Sequence, residues 1–402
     1  MAHPAKAAAR VGAGPSGLAA AAELALHDAE LALHNIDCVI VGPRPTVSRR
    51  RPRAKTTNVR TMEHLRRRGV AEQVRQAAPL PVAWSQRVTF CDALSGHRIT
   101  DFDGVPELVT DRDERFAEAG HQVAQPVPEQ VLRDHLTRQE CVETRFGHIV
   151  PRVLQHPDRV MVDLRNGEGH EYRVFANYAL GCDGPGSAVR EQIRAVYEGR
   201  SDPRPNFDVI FRAPGPDTDL GPAVRYRVVG ARTTGVLGRL DLSGTWWASF
   251  PGLDAAYGTR NTARLIADLV GEPADHELPA CDPWTARMLI ADRFQDGRVL
   301  LVGESAHVNP PWGGHGCDTC VGDAANIAWK TAAVTDAWQA IPPRLVDRLH
   351  IRRPRGSCTA PKAPTTPPCS KPPNPPARRS RSTSCTRSSK AGPATSPVSR
   401  PP

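Results

Sequence analysis

The first strong pattern in the chain is Val11–Gly17, Val-Gly-Ala-Gly-Pro-Ser-Gly, followed from Leu18 by an Ala/Leu-rich helical stretch. Ile36–Val41 is an apolar run of strand length, suited to a buried parallel strand. A strand–turn–helix–strand unit is the natural reading. Ala5–Arg10, ahead of the glycines, carries Ala, Lys and Arg rather than Val and Ile, which predicts a weak first strand. Within the helix, Glu23-Leu-Ala-Leu-His27 recurs as Glu30-Leu-Ala-Leu-His34. A seven-residue insertion is two turns and nearly restores the same face, so we read a local duplication. Thr61–Gly69 predicts a short helix closed by glycine. Residues 82–105 and 207–250 alternate apolar and polar as antiparallel strands do, for example in Arg87–Phe90 and Tyr226–Val229. Val299–Val302 predicts another buried strand, and Asp323–Ala340 a helix.

Periodicity stops near Pro342. Pro342–Pro402 holds 15 prolines and 13 basic residues against one acid, Asp347, a net charge of +12. The whole chain carries +9, so residues 1–341 carry −3. The basic balance, which at face value suggests nucleic acid, belongs to this tail, and no nucleic-acid partner is expected. Its Pro/Arg/Ser/Thr composition buries too little apolar area to offset chain entropy, which predicts disorder over 341–402. Such text is also what a GC-rich gene yields in a wrong frame, so a frameshift near residues 340–350 is expected. The 402 residues suffice for two domains. Of ten cysteines, seven precede Pro342 without framework spacing. With no signal-peptide pattern at the start and no long apolar run, the expectation is a cytoplasmic protein with no membrane contact.

Three motifs carry chemistry. In Gly12-Ala-Gly14-Pro-Ser-Gly17, glycines permit a tight turn and close approach to a pyrophosphate, and the helix N-terminus offers unpaired N–H groups. The acid expected to bind a ribose at the end of the second strand is absent, because Gly42 stands there. That loss weakens dinucleotide binding by about 1.5–3 kcal/mol, and Gly42→Glu is expected to tighten it. The second motif, Tyr178–Arg190, runs an apolar strand into Asp183-Gly184, with Ser187 and Arg190 at a helix start. In the third, Gly297–Asp318, a strand delivers Glu304 to a loop with Pro310-Pro311 and several glycines, followed by a helix. Such a loop offers backbone N–H groups and a helix dipole to negative charge on a bound ring system.

Plainer readings stand beside these. Cys317-x-x-Cys320 lacks a second pair, so no metal is expected. His307 and His315 read as loop packing, and Arg49–Arg51 as a solvated face. On a strand, only one of Trp246 and Trp247 can face a pocket, and core packing is the default for the pair.

The order of the three motifs resembles the FAD-dependent aromatic hydroxylases, single-component flavoprotein monooxygenases related to para-hydroxybenzoate and phenol hydroxylases, with polyketide-type members most alike. Arg44–Gly69, Gln122–Leu132, Asp241–Pro251 and Asp282–Ala291 look like the same family, and the resemblance covers roughly residues 11–340. It implies an α/β fold: a discontinuous Rossmann-like FAD-binding domain (1–80, 106–200, 282–340), a mostly antiparallel substrate-binding sheet (81–105, 201–281) and the tail. Gly12, Gly14 and Gly17 would hold the FAD pyrophosphate. Arg53 and Gln125 would contact the cofactor, as would Asp183 with Arg190 in support. Glu304 would take the ribityl chain, and Pro311 would lie beside the reactive flavin edge. Backbone N–H groups at Gly316, Cys317 and Asp318 would face the pyrimidine. NAD(P)H would reduce FAD, and O₂ would give a C4a-hydroperoxide that hydroxylates a phenolic or polyketide aromatic substrate; a monomer or homodimer is expected. Departures are Gly42, Glu304 for Asp, Asp318 for Asn, the weak first strand, the helix repeat and the loss of resemblance after Ala340. Two alternatives remain: another FAD-dependent oxidoreductase of the superfamily, and a remnant that has lost FAD. A halogenase would show a Trp-x-Trp-x-Ile segment, which is absent.

Overall fold

A computed structural model describes residues 6–30, 37–49, 55–81, 84, 86–104, 114–213, 219–230, 232–273, 276–311 and 313–334. Arg53 and the tail 341–402 lie outside the described residues, as does the second half of the helix repeat.

Two sheets organise the chain. The first contains β1 (Lys6–Val11), β2 (Cys38–Gly42), β5 (Val142–Phe146), β6 (Ile149–Gln155), β7 (Val160–Arg165), β8 (Glu171–Gly181), β14 (Gln295–Asp296) and β15 (Val299–Leu301). Its main order is β14-β15-β8-β1-β2-β5, with β7 on β8 and β6 on β7. β1, β2, β5, β8 and β15 run parallel. One face is covered by α1 (Pro15–Glu30), α4 (Pro126–Leu136) and α7 (Gly316–Ala332), with α2 (Val59–Arg67) and α3 (Ala71–Ala77) outside them. The other face packs on β7 and α5 (Ala188–Gln192).

The weak first strand forms at the centre of this sheet. Ala8–Val11 pair with Cys38–Val41 on one side and Tyr178–Gly181 on the other. Two complete ladders hold what poor strand propensity does not, since tertiary pairing outweighs intrinsic preference. Arg10 is fully buried beside the Cys38 and Cys182 thiols. Among the described residues no carboxylate is within ion-pair distance of it, and the Cys38 thiol is the side chain its guanidinium acts on as a hydrogen-bond donor.

The second sheet contains β3 (Val88–Cys91), β4 (Arg98–Phe102), β9 (Tyr197–Arg212), β10 (Arg225–Val229), β11 (Thr234–Arg239), β12 (Thr245–Pro251), β13 (Glu277–Ala291) and β16 (His307–Val308). Its order is β16-β13-β9-β12-β11-β10-β3-β4. The strands are antiparallel except for β10 and β3. The expected limits at 201 and 282 fall inside β9 and β13, two long strands that run through both positions. The alternation predicted for 207–250 has a clear physical meaning. Phe207, Val209, Phe211, Tyr226, Leu237, Trp246 and Phe250 share one face and bury it against Leu265, Ile266 and Leu269 of α6 (Ala255–Val270). This helix has no counterpart among the expected elements; it is capped by the Asp254 side chain and closed by Gly271 at φ +99°.

The last helix starts earlier than predicted, at Gly316 rather than Asp323. Gly313 and Gly314, at φ +91° and +81°, end the loop. An acid at Asp318 in the first turn suits a helix N-terminus.

Candidate active site

A cavity of about 900 Å³ runs from the β1–α1 turn to the polar face of the second sheet. Its first wall is built by backbone. Gly12, at φ +115°, has no room for a side chain, because a Cβ there would strike the Cys182 carbonyl. Gly17 packs under the turn, where a Cβ would strike the Gly12 carbonyl. Gly14 differs, since a Cβ there would meet nothing within 4 Å. Its bareness therefore serves the cavity rather than the fold. Pro15 opens α1 at a position where its missing N–H costs nothing, and the first-turn amides remain available to a ligand.

Gly42 lines the cavity next to this turn. A Cβ at Gly42 would collide with the Ala13 methyl, so restoring a carboxylate here meets an obstacle the sequence did not show. Glu129 of α4, which is buried, also lines the cavity. Glu129 accepts from Gln125 Nε2 at 2.6 Å and pairs with Arg44 at 3.3 Å. Arg133, one turn on, donates to the carbonyls of Arg44 at 3.2 Å and Pro45 at 3.1 Å.

Asp183 lines the middle of the cavity. Its carboxylate accepts from Ser187 Oγ at 2.5 Å and from the Val189 amide at 3.1 Å, and so holds the start of α5. Burial pushes its pKa up, with these hydrogen bonds working against that push. Arg190 does not line the cavity. It donates to the Pro185 carbonyl at 2.9 Å and stacks 3.9 Å from the Tyr197 ring centroid, bracing the Asp-Gly turn.

Glu304 sits in a single 3₁₀ turn, Gly303–Ser305, and lines the cavity. Pro311, Gly316 and Cys317 line it too, at the loop and N-terminus of α7. Asp318 points elsewhere: its Oδ1 accepts from the Asn58 amide at 3.2 Å, tying α7 to the start of α2. Behind the loop, His307 Nε2 lies 2.6 Å from Asp323, and Asp323 also accepts from the Gly303 amide at 3.2 Å. Burial opposes charge on His307, but the Asp323 carboxylate outweighs it and raises the pKa. The Cys317 and Cys320 thiols are pushed up by burial, and no metal-binding cluster occurs among the described residues.

The structure thus gathers Gly12, Gly14, Gln125, Asp183, Glu304, Pro311, Gly316 and Cys317 around one cavity. Gly17, Arg190 and Asp318 support it from outside. The far wall, lined by Lys55, Asp208, Arg225, Trp247 and Asp282, was not among the expected site residues. The signal was the parity of the strands: once Trp246 is in the core, Trp247 must face the other way. Among the described residues no helix is long and apolar enough to cross a membrane.

Residues 7–355 match the family described as FAD binding domain. The dialkyldecalin synthase of Streptomyces rugosporus is 28% identical over 373 residues, 88% of this chain and 71% of that protein. The 12-dehydrotetracycline 5-monooxygenase/anhydrotetracycline 6-monooxygenase of Streptomyces rimosus subsp. rimosus is 31% identical over 369 residues, 85% of this chain and 65% of that protein. Among solved structures, aklavinone-11 hydroxylase with FAD and aklavinone superimposes with a TM-score of 0.75 at 26% identity, covering 87% of this chain and 65% of that one. The chain belongs to this family of FAD-dependent aromatic hydroxylases. Its cofactor is FAD. The bare Gly14 and the long cavity leading from it to the N-terminus of α7 fit such a group.

Proposed function

We propose that the protein is a monooxygenase that uses FAD and NAD(P)H to hydroxylate a phenolic or polyketide aromatic. The observation that carries this reading is one cavity that joins a pyrophosphate-type glycine turn to the polar face of an antiparallel sheet. In this reading the first sheet serves the cofactor and the second the substrate.

Gly12, Gly14 and the first-turn amides of α1 take the pyrophosphate, with Gly17 keeping the turn closed against α1. Gln125 and Arg53 contact the cofactor, and Arg190 holds the Asp183 loop in place. Glu304 accepts from hydroxyls of the ribityl chain. The N-terminus of α7, at Gly316 and Cys317 and supported by Asp318, offers N–H groups to negative charge on the ring system. Pro311 shapes the edge where the ring meets substrate. Bound FAD supplies electron transfer from NAD(P)H and activation of O₂. The protein orients the aromatic ring and keeps water from the reacting atoms.

The test is oxygenation. FAD-reconstituted protein is supplied with NADH or NADPH, oxygen-18 gas and a panel of phenols and polyketide aromatics. The expected result is stimulated NAD(P)H oxidation and a product carrying one heavy oxygen atom. Oxidation that yields only hydrogen peroxide with every aromatic tried overturns the reading.

A further inference from the structure

Lys55 is a half-buried amine that shares a cavity wall with the cation Arg225. Its Nζ donates to the Val224 carbonyl and lies 5.1 Å from the centroid of the Trp247 indole. It occupies a recess that exists because residue 238 is glycine. A Cβ at Gly238 would collide with Nζ and come within 2.8 Å of the Val224 carbonyl and 3.0 Å of Trp247 Nε1. Arg225 lines the same part of the cavity. Arg225 Nε and Trp247 Nε1 are buried with no hydrogen-bond partner among the described residues.

The register explains the arrangement. Gly238 pairs with Trp247 and Trp247 with Ile210, so these residues form a row across the cavity face. Asp208 and Asp282 pair in the neighbouring row of the same face. Among the described residues no carboxylate is within ion-pair distance of Lys55 or Arg225. Two buried donors without an acceptor beside a lysine amine mark a place for a ligand that brings negative charge.

Resting on the hydroxylase reading, we propose that Lys55 is the base that takes the proton of the substrate's phenolic hydroxyl, and that Arg225 holds the oxyanion so formed. In this step the substrate O–H bond breaks and an N–H bond forms on Nζ. The electron pair of the O–H bond stays on oxygen as phenolate, which feeds the ring to be hydroxylated, and nothing is oxidised or reduced. A neutral amine that donates one N–H to Val224 keeps its lone pair free for the proton. Burial first, and then the neighbouring Arg225 charge, lower the Lys55 pKa well below the usual lysine range. Once the phenolate is present it compensates both cations, and the Trp247 face stabilises the new ammonium. The other charged groups lining this cavity wall are Asp208 on β9 and Asp282 and Arg287 on β13, with Glu304 on the facing wall.

The experiment titrates the FAD-loaded protein with 4-nitrophenol, whose neutral and ionised forms absorb differently, by difference spectroscopy at a pH where the free probe is mostly neutral. Wild type is expected to bind it as the phenolate, with an affinity that does not follow the probe's ionisation in solution. Lys55→Met is expected to lose the phenolate band and bind at least ~10-fold more weakly, from loss of a charge-assisted bond. Lys55→Arg carries from the start the charge that Lys55 gains only in the complex and cannot accept a proton, so its affinity should fall about tenfold for each pH unit below the probe's pKa. An unaltered flavin spectrum in both variants shows that the fold is intact. If wild type binds the probe as neutral phenol, or if Lys55→Arg behaves as wild type, the base is not Lys55, while the hydroxylase reading stands. If wild type binds neither 4-nitrophenol nor any phenol of the oxygenation panel, the proposal falls together with that reading.

Discussion

Gly42→Glu restores the acid that the second strand lacks, and the structure sets what it should do. A charge-assisted hydrogen bond to the ribose is worth about 1.5–3 kcal/mol, a factor of roughly 10 to 150 in affinity. Against this, a Cβ at position 42 collides with the Ala13 methyl. Forcing one carbon into a packed contact costs about 1–3 kcal/mol. The two effects nearly cancel, so the single variant should bind FAD within a few-fold of wild type. Ala13→Gly removes the methyl, at a cost of about 0.5–1 kcal/mol in backbone freedom. Ala13→Gly/Gly42→Glu should therefore bind FAD about tenfold more tightly or better than Gly42→Glu, with a coupling of about 1–3 kcal/mol between the sites. The assay is titration of apoprotein with FAD, followed by quenching of flavin fluorescence, for all four members of the cycle. Full tightening by Gly42→Glu on its own would show that Ala13 is no obstacle. No tightening in either variant would show that the ribose does not lie against position 42.

Other substitutions separate folding from binding. Gly14→Val, open to the cavity, should leave apoprotein stability within about 0.5 kcal/mol and abolish FAD retention on a desalting column. Gly12→Ala, at positive φ and against the Cys182 carbonyl, should lower the melting temperature even without FAD. Arg10→Met removes a buried charge that lacks a carboxylate partner, and chemical denaturation should show a gain of about 1–4 kcal/mol; a loss would mean the guanidinium is satisfied by something else. His307 has a raised pKa, so its pairing with Asp323 stabilises the fold fully below the ordinary histidine value. That stabilisation is lost as pH rises through the raised value. The stability gap between wild type and His307→Gln, followed by thermal melts across pH, should shrink on the alkaline side; a gap independent of pH would rule out the charged pair.

What the sequence conveyed and what it withheld follow from how local each feature is. The glycine turn was legible because Gly12 and Gly17 are required by backbone contacts within a few residues or across one strand. Pro311, Gly316 and Cys317 were legible because they occupy one continuous loop and helix start. The first strand looked weak because propensity ignores the two ladders that flank it. The length of α7 was misjudged because Gly316–Gly322 is rich in small residues and reads as loop, although Asp318, Cys320 and Val321 are buried on its inner side. Lys55, Arg225 and Asp208 come from three separate stretches: the pairing of β9 through β12 puts Arg225 and Asp208 on one face, and Lys55 lines the same cavity from the segment ahead of α2. No local pattern could have grouped them, whereas the fate of Trp246 and Trp247 needed only strand parity and one decision about the core.

We propose that FAD occupies the cavity that begins at Gly14 and ends at the N-terminus of α7. The visible absorption spectrum of the purified protein, incubated with excess FAD and then desalted, tests it most directly. The expected result is a yellow protein with about one flavin per chain and resolved bands that Gly14→Val eliminates. A colourless protein from which all FAD elutes free would contradict it.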